Sequence, residues 1–225
     1  MRVAAVADLH GLLPDVPPCD LLLLAGDLCP AHDHGVRFQA RWLDTEFRAW
    51  LEAVPAGAIA GIAGNHDFVF EQAPELVPDD LPWTYLQDSA ATVAGLRVWG
   101  SPWTPWFHDW AFNAPRDHAR GEAFLADRYA TVPDTTDVLL LHGPPRGHGG
   151  LTAYGVEAGA QAALDLIDRV KPRLCAYGHI HEGRGAYDRD GTALVNVSAV
   201  DVAYAPYPDP VVLLELAPSA GSAPR

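Results

Sequence analysis

Cysteine is scarce. Cys19, Cys29 and Cys175 are scattered over 225 residues with no C-x-x-C pair, which excludes a disulfide framework and makes a reducing cytoplasm the expected location. Long hydrophobic runs are missing too: none approaches about 18 apolar residues, so no membrane span is expected. The opening stretch MRVAAVADLHGLLP is broken early by Asp8 and His10, which is too soon for a secretory signal. Basic residues are outnumbered, with Lys+Arg 15 against Asp+Glu 29 and a formal net charge of −14. Such a surface repels polyphosphate backbones and anionic lipid, so long nucleic acid and membrane are not expected partners. A small phosphorylated substrate, a nucleotide among them, stays open, because a bound metal inverts the local charge.

What is present describes an ordinary globular chain. Hydrophobic residues at 49% and charged residues at 20% exclude disorder as the main character. The length favours one domain, expected over 1–217, with the small polar residues 218–225 as a frayed tail. Nothing in the chain speaks to its oligomeric state. Short apolar runs stop at polar or glycine-rich clusters: Arg2–Ala7, Leu21–Ala25, Ala58–Ala63, Val138–Leu141 and Leu174–Tyr177. Runs of this kind are expected of strands covered on both faces. A further strand is read at Leu96–Gly100, and two more near the end at 193–200 and 211–216. Phe38–Val54 carries large apolar residues at three- and four-residue steps, the spacing of a one-faced helix. Arg116–Tyr129 and Ala158–Val170 read as shorter helices, the second closed by Pro172. The alternation predicts a layered α/β domain.

The polar clusters share one chemistry. Asp8 and His10, Asp27, Asn65 and His66, His142, then His179 and His181 each follow an apolar run. In open α/β sheets the crevice beyond the strand ends binds ligands. Residues two apart point to the same side of an extended backbone, so 8/10 and 179/181 could each grip one ion. Each piece alone occurs readily by chance; five at successive strand ends do not. Imidazole, carboxylate and one amide, without thiolate, favour Mn, Fe or Zn over an all-oxygen Mg or Ca site.

In their order, Asp8-Leu9-His10, Gly26-Asp27, Gly64-Asn65-His66-Asp67, His142 and Gly178-His179-Ile180-His181 resemble the five motifs of the calcineurin-like metallophosphoesterases. The stretches GSPWTPWFHDWAFN (100–113), LLHGPP (140–145), GHIHEGRG (178–185) and VNVS (195–198) resemble the metallophosphoesterase-domain subgroup that acts on phosphodiesters, cyclic nucleotides included. The resemblance implies a four-layer α/β/β/α sandwich of two mixed β-sheets flanked by helices, with two divalent ions, manganese first. It implies that Asp8, His10, Asp27 and His181 hold one ion. Asp27 would bridge to the second, which would also take Asn65, His142 and His179. A metal-bridging hydroxide would attack phosphorus in line. His66 would sit over the substrate phosphate with Asn65 and protonate the leaving oxygen.

Three features stay two-sided. Asp67 reads either as a carboxylate orienting an imidazole or, slightly better, as an N-cap or turn residue. The loop with Trp103, Trp106, His108 and Trp110 reads better as pinned by its own aromatic residues, with Trp103 and Trp106 as a base-stacking wall the alternative. His32 and His34 read as exposed or supporting residues rather than a third metal site, since no carboxylate cluster is left to complete one. The protein phosphatase branch has an arginine soon after its Gly-Asp motif; here none comes before Arg37, which leans the expectation toward diesters. A phosphomonoesterase on the same centre is the alternative. A non-catalytic scaffold lacks motive, since all seven ligand positions are filled, and a long-strand nuclease lacks a basic stripe.

Overall fold

The computed structural model describes residues 1–217; the tail expected at 218–225 lies outside the described residues. In chain order the elements are β1 (Arg2–Val6), β2 (Leu21–Ala25), α1 (Val36–Trp42), α2 (Arg48–Ala53), β3 (Ile59–Ile62), α3 (Phe68–Gln72), β4 (Thr84–Tyr85), β5 (Ser89–Val93) and β6 (Leu96–Ser101). They continue with α4 (His118–Tyr129), β7 (Val138–Leu141), α5 (Gln161–Val170), β8 (Leu174–Tyr177), β9 (Gly185–Arg189), β10 (Thr192–Asn196) and β11 (Val212–Glu215). One sheet has the order β11-β1-β2-β3-β4, the other β5-β6-β7-β8-β10-β9. Both are mixed: β1 runs parallel to β2 and antiparallel to β11, and β10 parallel to β8 and antiparallel to β9.

The side-chain alternation of a strand explains the layering. All five residues of β2 are buried. Leu21, Leu23 and Ala25 join Val3, Ala5, Ile62, Val98, Leu140 and Ala176 in a core between the two sheets. Leu22 and Leu24 face the other way, onto Leu43, Phe47 and Leu51. The second sheet turns Trp99, Leu139, Leu141 and Tyr177 outward onto Leu125, Leu166 and Ile167 of α4 and α5. Each strand therefore reads as a continuous apolar run, and each buried leucine contributes about 1.5–3 kcal/mol. The result is the α/β/β/α sandwich.

The helix expected over Phe38–Val54 is present but widened, α1 and α2 being joined by a π-helical stretch at Leu43–Phe47. Leu43, Phe47 and Leu51 are all buried at four-residue steps. Each such step overshoots by about 40° on a helix of 3.6 residues per turn, and one wider turn keeps them on one face. The helix expected from Arg116 begins two residues later, where the Asp117 side chain accepts from the Arg120 N–H at 3.0 Å. The α5 helix ends at Lys171 in left-handed conformation, with Pro172 beyond it. Elements without a sequence signal are short or at an edge: β9 alternates half-buried with exposed, and α3 is one turn and a half of FVFEQ.

Candidate metal centre

Strands β1, β2 and β3 of one sheet and β7 and β8 of the other deliver their following residues to a common edge. Backbone bonds tie these loops together: Asp8 N–H to Gly26 O (3.0 Å), His10 N–H to Asp27 O (2.9 Å) and Gly178 N–H to His142 O (3.0 Å). Asp8, His10, Asp27 and His179 all have positive φ, at 53°, 45°, 54° and 68°. A left-handed non-glycine residue costs on the order of 1 kcal/mol or more, and such residues cluster where the surroundings over-determine them, commonly at functional sites. Gly64 and Gly178 leave room that a side chain would fill: a Cβ would lie 2.4 Å from Asp27 Oδ1 at the first and 2.3 Å from Asp8 Oδ2 at the second.

The side chains gather into two groups that share Asp27. In the first, His10 Nε2 lies 3.2 Å from His181 Nε2 and 3.7 Å from Asp27 Oδ2, while His181 Nε2 lies 3.8 Å from Asp8 Oδ1. In the second, His142 Nε2 lies 3.4 Å from Asp27 Oδ1 and 2.8 Å from Asn65 Oδ1, with His179 Nδ1 at 2.6 Å from the same amide oxygen. The two oxygens of Asp27 thus face different groups. His179 and His181 part company, one in each group. The two-residue spacing alone lets both grip one ion from an extended strand, but His179 is left-handed and the side-chain alternation breaks at it. Asp8 and His10 do gather, together with His181.

The donor set fits cations. His142 Nδ1 donates to Ala25 O at 2.9 Å, which aims Nε2 into the cluster at Asn65 Oδ1. His181 Nδ1 likewise faces Asp201 O at 3.0 Å and leaves Nε2 for the cluster. A metal-binding imidazole commonly has its second nitrogen tied in this way, and His142 and His181 both do. Asn65 Nδ2 is buried without a partner, which leaves the amide oxygen as its working atom. Burial pushes His10 down to about 4 and His179 down to about 3, so both rings are neutral near neutral pH, the form in which an imidazole can hold a metal. Burial opposes ionisation of Asp27, but the surrounding imidazoles, His142 foremost, outweigh it and hold its pKa well below the usual value. For His142 burial acts downward, and the Asp27 charge overrides it and lifts the ring to about 9. Among the described residues the ion pairs of Asp8 and Asp27 are with histidines, and these two deeply buried carboxylates are a natural seat for divalent cations.

Around this cluster lie His66, His34 and Asp67, which the sequence singled out, and Gln39, which it did not. His66 is buried, its N–H donates to Asp27 Oδ1 at 2.7 Å, and its Nδ1 meets His34 Nε2 at 2.9 Å. Gln39 of α1, fully buried, donates to His66 O at 2.7 Å and accepts from Val69 N–H at 2.9 Å, fixing the turn. Ser198 donates its hydroxyl to Asp8, and its N–H donates to Asn196 Oδ1, so the VNVS strand end braces the first ligand. Asp67 stands at the N-cap position of α3 and closes the turn back to Gly64, as its turn reading expects, but its carboxylate makes no cap bond. Instead it accepts the N–H groups of Leu28, Cys29 and Gly64 at 2.8–3.0 Å, welding the Asp27 loop to the Asn65 loop. The bonds to Leu28 and Cys29 join residues 38–39 positions apart, and no local motif announces them; the bond to Gly64 closes the turn three residues back.

Residues 1–183 match the family model described as calcineurin-like phosphoesterase. The chain belongs to the calcineurin-like phosphoesterase family. The human "Metallophosphoesterase domain-containing protein 1" is 32% identical over 240 residues, covering 94% of this chain and 70% of that protein. Among solved structures, the fold is similar to "Phosphopantetheinyl Hydrolase" from Mycobacterium tuberculosis, with a TM-score of 0.62 at 17% identity, covering 100% of this chain and 98% of the other. It is also similar to a "dimetal phosphatase" from Danio rerio, with a TM-score of 0.52 at 13% identity, covering 88% and 87%.

As a calcineurin-like phosphoesterase the chain has the His/Asp groups for the metal-dependent phosphoester hydrolysis that its family supports. Its aromatic loop is arranged otherwise than as a wall of Trp103 and Trp106. The Trp103 indole donates to Asp88 at 2.9 Å and packs edge-on against Phe112 and Phe124. Trp106 carries the Arg116 guanidinium 4.7 Å over its ring. The tryptophan that meets the site is Trp110, its ring centroid 4.3 Å from that of His66.

Proposed function

We propose that residues 1–217 form one catalytic domain that hydrolyses small phosphodiesters, cyclic nucleotide-like diesters among them, with a pair of divalent ions. Asp8, His10, Asp27 and His181 hold one ion; Asp27, Asn65, His142 and His179 hold the other. The observation that carries this is the divided Asp27 carboxylate, with one oxygen toward His10 and the other toward His142. The mixed imidazole, carboxylate and amide set favours manganese, with iron or zinc as alternatives. Bound there, divalent ions supply an activated water near neutral pH and polarise the phosphoryl group.

His66 is the general acid. With Nδ1 engaged by His34, its free nitrogen is Nε2, and when His34 donates to Nδ1 the His66 proton resides on Nε2. His66 lines the cavity beside the cluster, where a leaving oxygen can be reached. His34 and Trp110 are positioning residues for that ring. The diester preference is supported by the cavity lining, which contains no lysine or arginine among the described residues to match a dianionic monoester. The test is metal analysis of the purified protein together with hydrolysis of bis-p-nitrophenyl phosphate and p-nitrophenyl phosphate under Mn²⁺. Two ions per chain and a faster diester are expected. A faster monoester makes the protein a phosphomonoesterase, and inertness to both with metals bound overturns the enzymatic reading.

A further inference from the structure

Next to the first ligand group, a turn near the end of the chain holds an aromatic ring over the cluster. Asp201 organises that turn: its N–H donates to Ala205 O at 2.9 Å, and its carboxylate accepts from Ala203 N–H at 2.8 Å and Ala205 N–H at 3.0 Å. Its carbonyl accepts from Tyr204 N–H at 2.9 Å and also faces His181 Nδ1. The same backbone oxygen thus positions a metal-group imidazole and the tyrosine. Tyr204 is held at φ 61°, a strained conformation for a bulky residue. Its ring centroid lies 4.7 Å from His10 and 5.3 Å from His181, yet the side chain remains 45% exposed. A ring serving only to cover the two imidazoles would be sealed in by its surroundings; this one keeps a free face.

The free space beside it is a cavity of about 490 Å³, within the range of small-molecule sites. His10, His66 and Tyr204, whose ring stands against His10, line it together with His32, Leu12, Val200 and Pro206. Among the described residues its lining contains no lysine, arginine, aspartate or glutamate. A second phosphate or a carboxylate would meet imidazoles, His32 among them, rather than a lysine or arginine. An uncharged flat ring finds apolar walls and an aromatic face on which to stack.

We propose that this cavity is the subsite for the ester substituent of the substrate. The substituent is an uncharged planar ring, aryl or heteroaromatic, and Tyr204 is the specificity-determining residue that stacks on it. The proposal rests on the phosphoesterase reading above, and binding distinguishes the two. Methylphosphonate and phenylphosphonate have unreactive P–C bonds and the same ionising groups, and they differ by the ring. Their dissociation constants for the Mn²⁺-loaded protein are measured by calorimetry for wild type, Tyr204→Ala and Tyr204→Phe. Phenylphosphonate is expected to bind wild type about tenfold more tightly than methylphosphonate, within the range of an aromatic contact plus burial. Tyr204→Ala should erase most of that ratio with methylphosphonate affinity and metal content unchanged, and Tyr204→Phe should keep it. No ring preference in wild type, a preference that survives Tyr204→Ala, or equal weakening of both ligands overturns the subsite. Wild type that hydrolyses neither p-nitrophenyl ester but shows the expected binding ratios loses the enzymatic reading and keeps the subsite.

Discussion

At the scale of single residues, the proposed roles divide charge-holding from proton transfer, and substitutions should separate them, although His66 also lies within reach of His10 and Asp27. His66 lies against the cluster without facing Asn65 Oδ1, and its Nδ1 is engaged by His34. His66→Asn should therefore keep close to two metals per chain while kcat falls by about 10²–10⁴, the scale of a lost general acid. The loss should be largest for an alkoxide leaving group and smallest for p-nitrophenolate, which departs with little help. His34→Ala should give a smaller loss with the same leaving-group dependence, since the acid is present but its ring is no longer aimed. Equal losses on both substrates, accompanied by depleted metal, would remove His66 from catalysis. Asp27 and Asn65 make the complementary pair. Asp27→Asn removes charge from both groups and should deplete both ions, whereas Asn65→Ala touches the His142/His179 group and should deplete mainly one. Metal titration of the two variants decides it, and identical losses would contradict a shared Asp27.

At the scale of elements, the ends of the strands opposite the site are stitched by a different device. Asp137, just before β7, accepts from the Arg97 N–H at 2.9 Å and from its guanidinium at 2.9 and 3.0 Å, tying the start of β6 to β7. The Arg97 guanidinium holds the Asp137 carboxyl below the ordinary aspartate range. A carboxylate depressed in the folded state stabilises above its unfolded pKa of about 3.9, and the contribution is lost as the pH falls through the lower folded value. Asp137→Asn should accordingly lower Tm near pH 7 by a few degrees, about 1 kcal/mol or less because Arg97 is half-exposed. The gap from wild type should close below about pH 4. A pH-independent gap would mean that the pair acts by shape rather than charge. This stitch illustrates what a sequence hides. Strands such as Leu21–Ala25 are legible because burial on both faces writes a continuous apolar run, and Asp8, Asp27 and His142 are legible because each closes such a run. Asp137, Asp67, Gln39 and Tyr204 work through partners 20–40 residues away or through a strained turn, and nothing in their immediate neighbours records the contact. The separation of His179 from His181 was hidden from spacing for a related reason: one left-handed residue overrides the two-residue rule, and φ is not written in the letters.

At the scale of the whole molecule, the charge of −14 and the buried carboxylates of the site bear on stability together. Asp8 and Asp27 are fully or almost fully buried, and their ion pairs are with imidazoles, of which burial holds His10 at about 4. Divalent ions that bind the folded state and not the unfolded chain add about 2.7 kcal/mol each at a free concentration one hundred times Kd. For a chain of this size about 1 kcal/mol corresponds to 2–4 °C, so stripping two ions should lower Tm by roughly 10–20 °C. The remaining apoprotein would carry its full negative charge, and self-repulsion should make its Tm rise with sodium chloride as the Debye length shrinks toward about 3 Å at 1 M. The metal-loaded protein, with the central charges neutralised at short range, should respond less. Differential scanning fluorimetry with and without chelator, at low and high salt, measures all four states. A Tm that ignores the chelator, with metal removal verified by elemental analysis, would mean that the imidazoles alone balance Asp8 and Asp27. The Asn65 amide oxygen would then be held by a proton on His142 rather than by a cation.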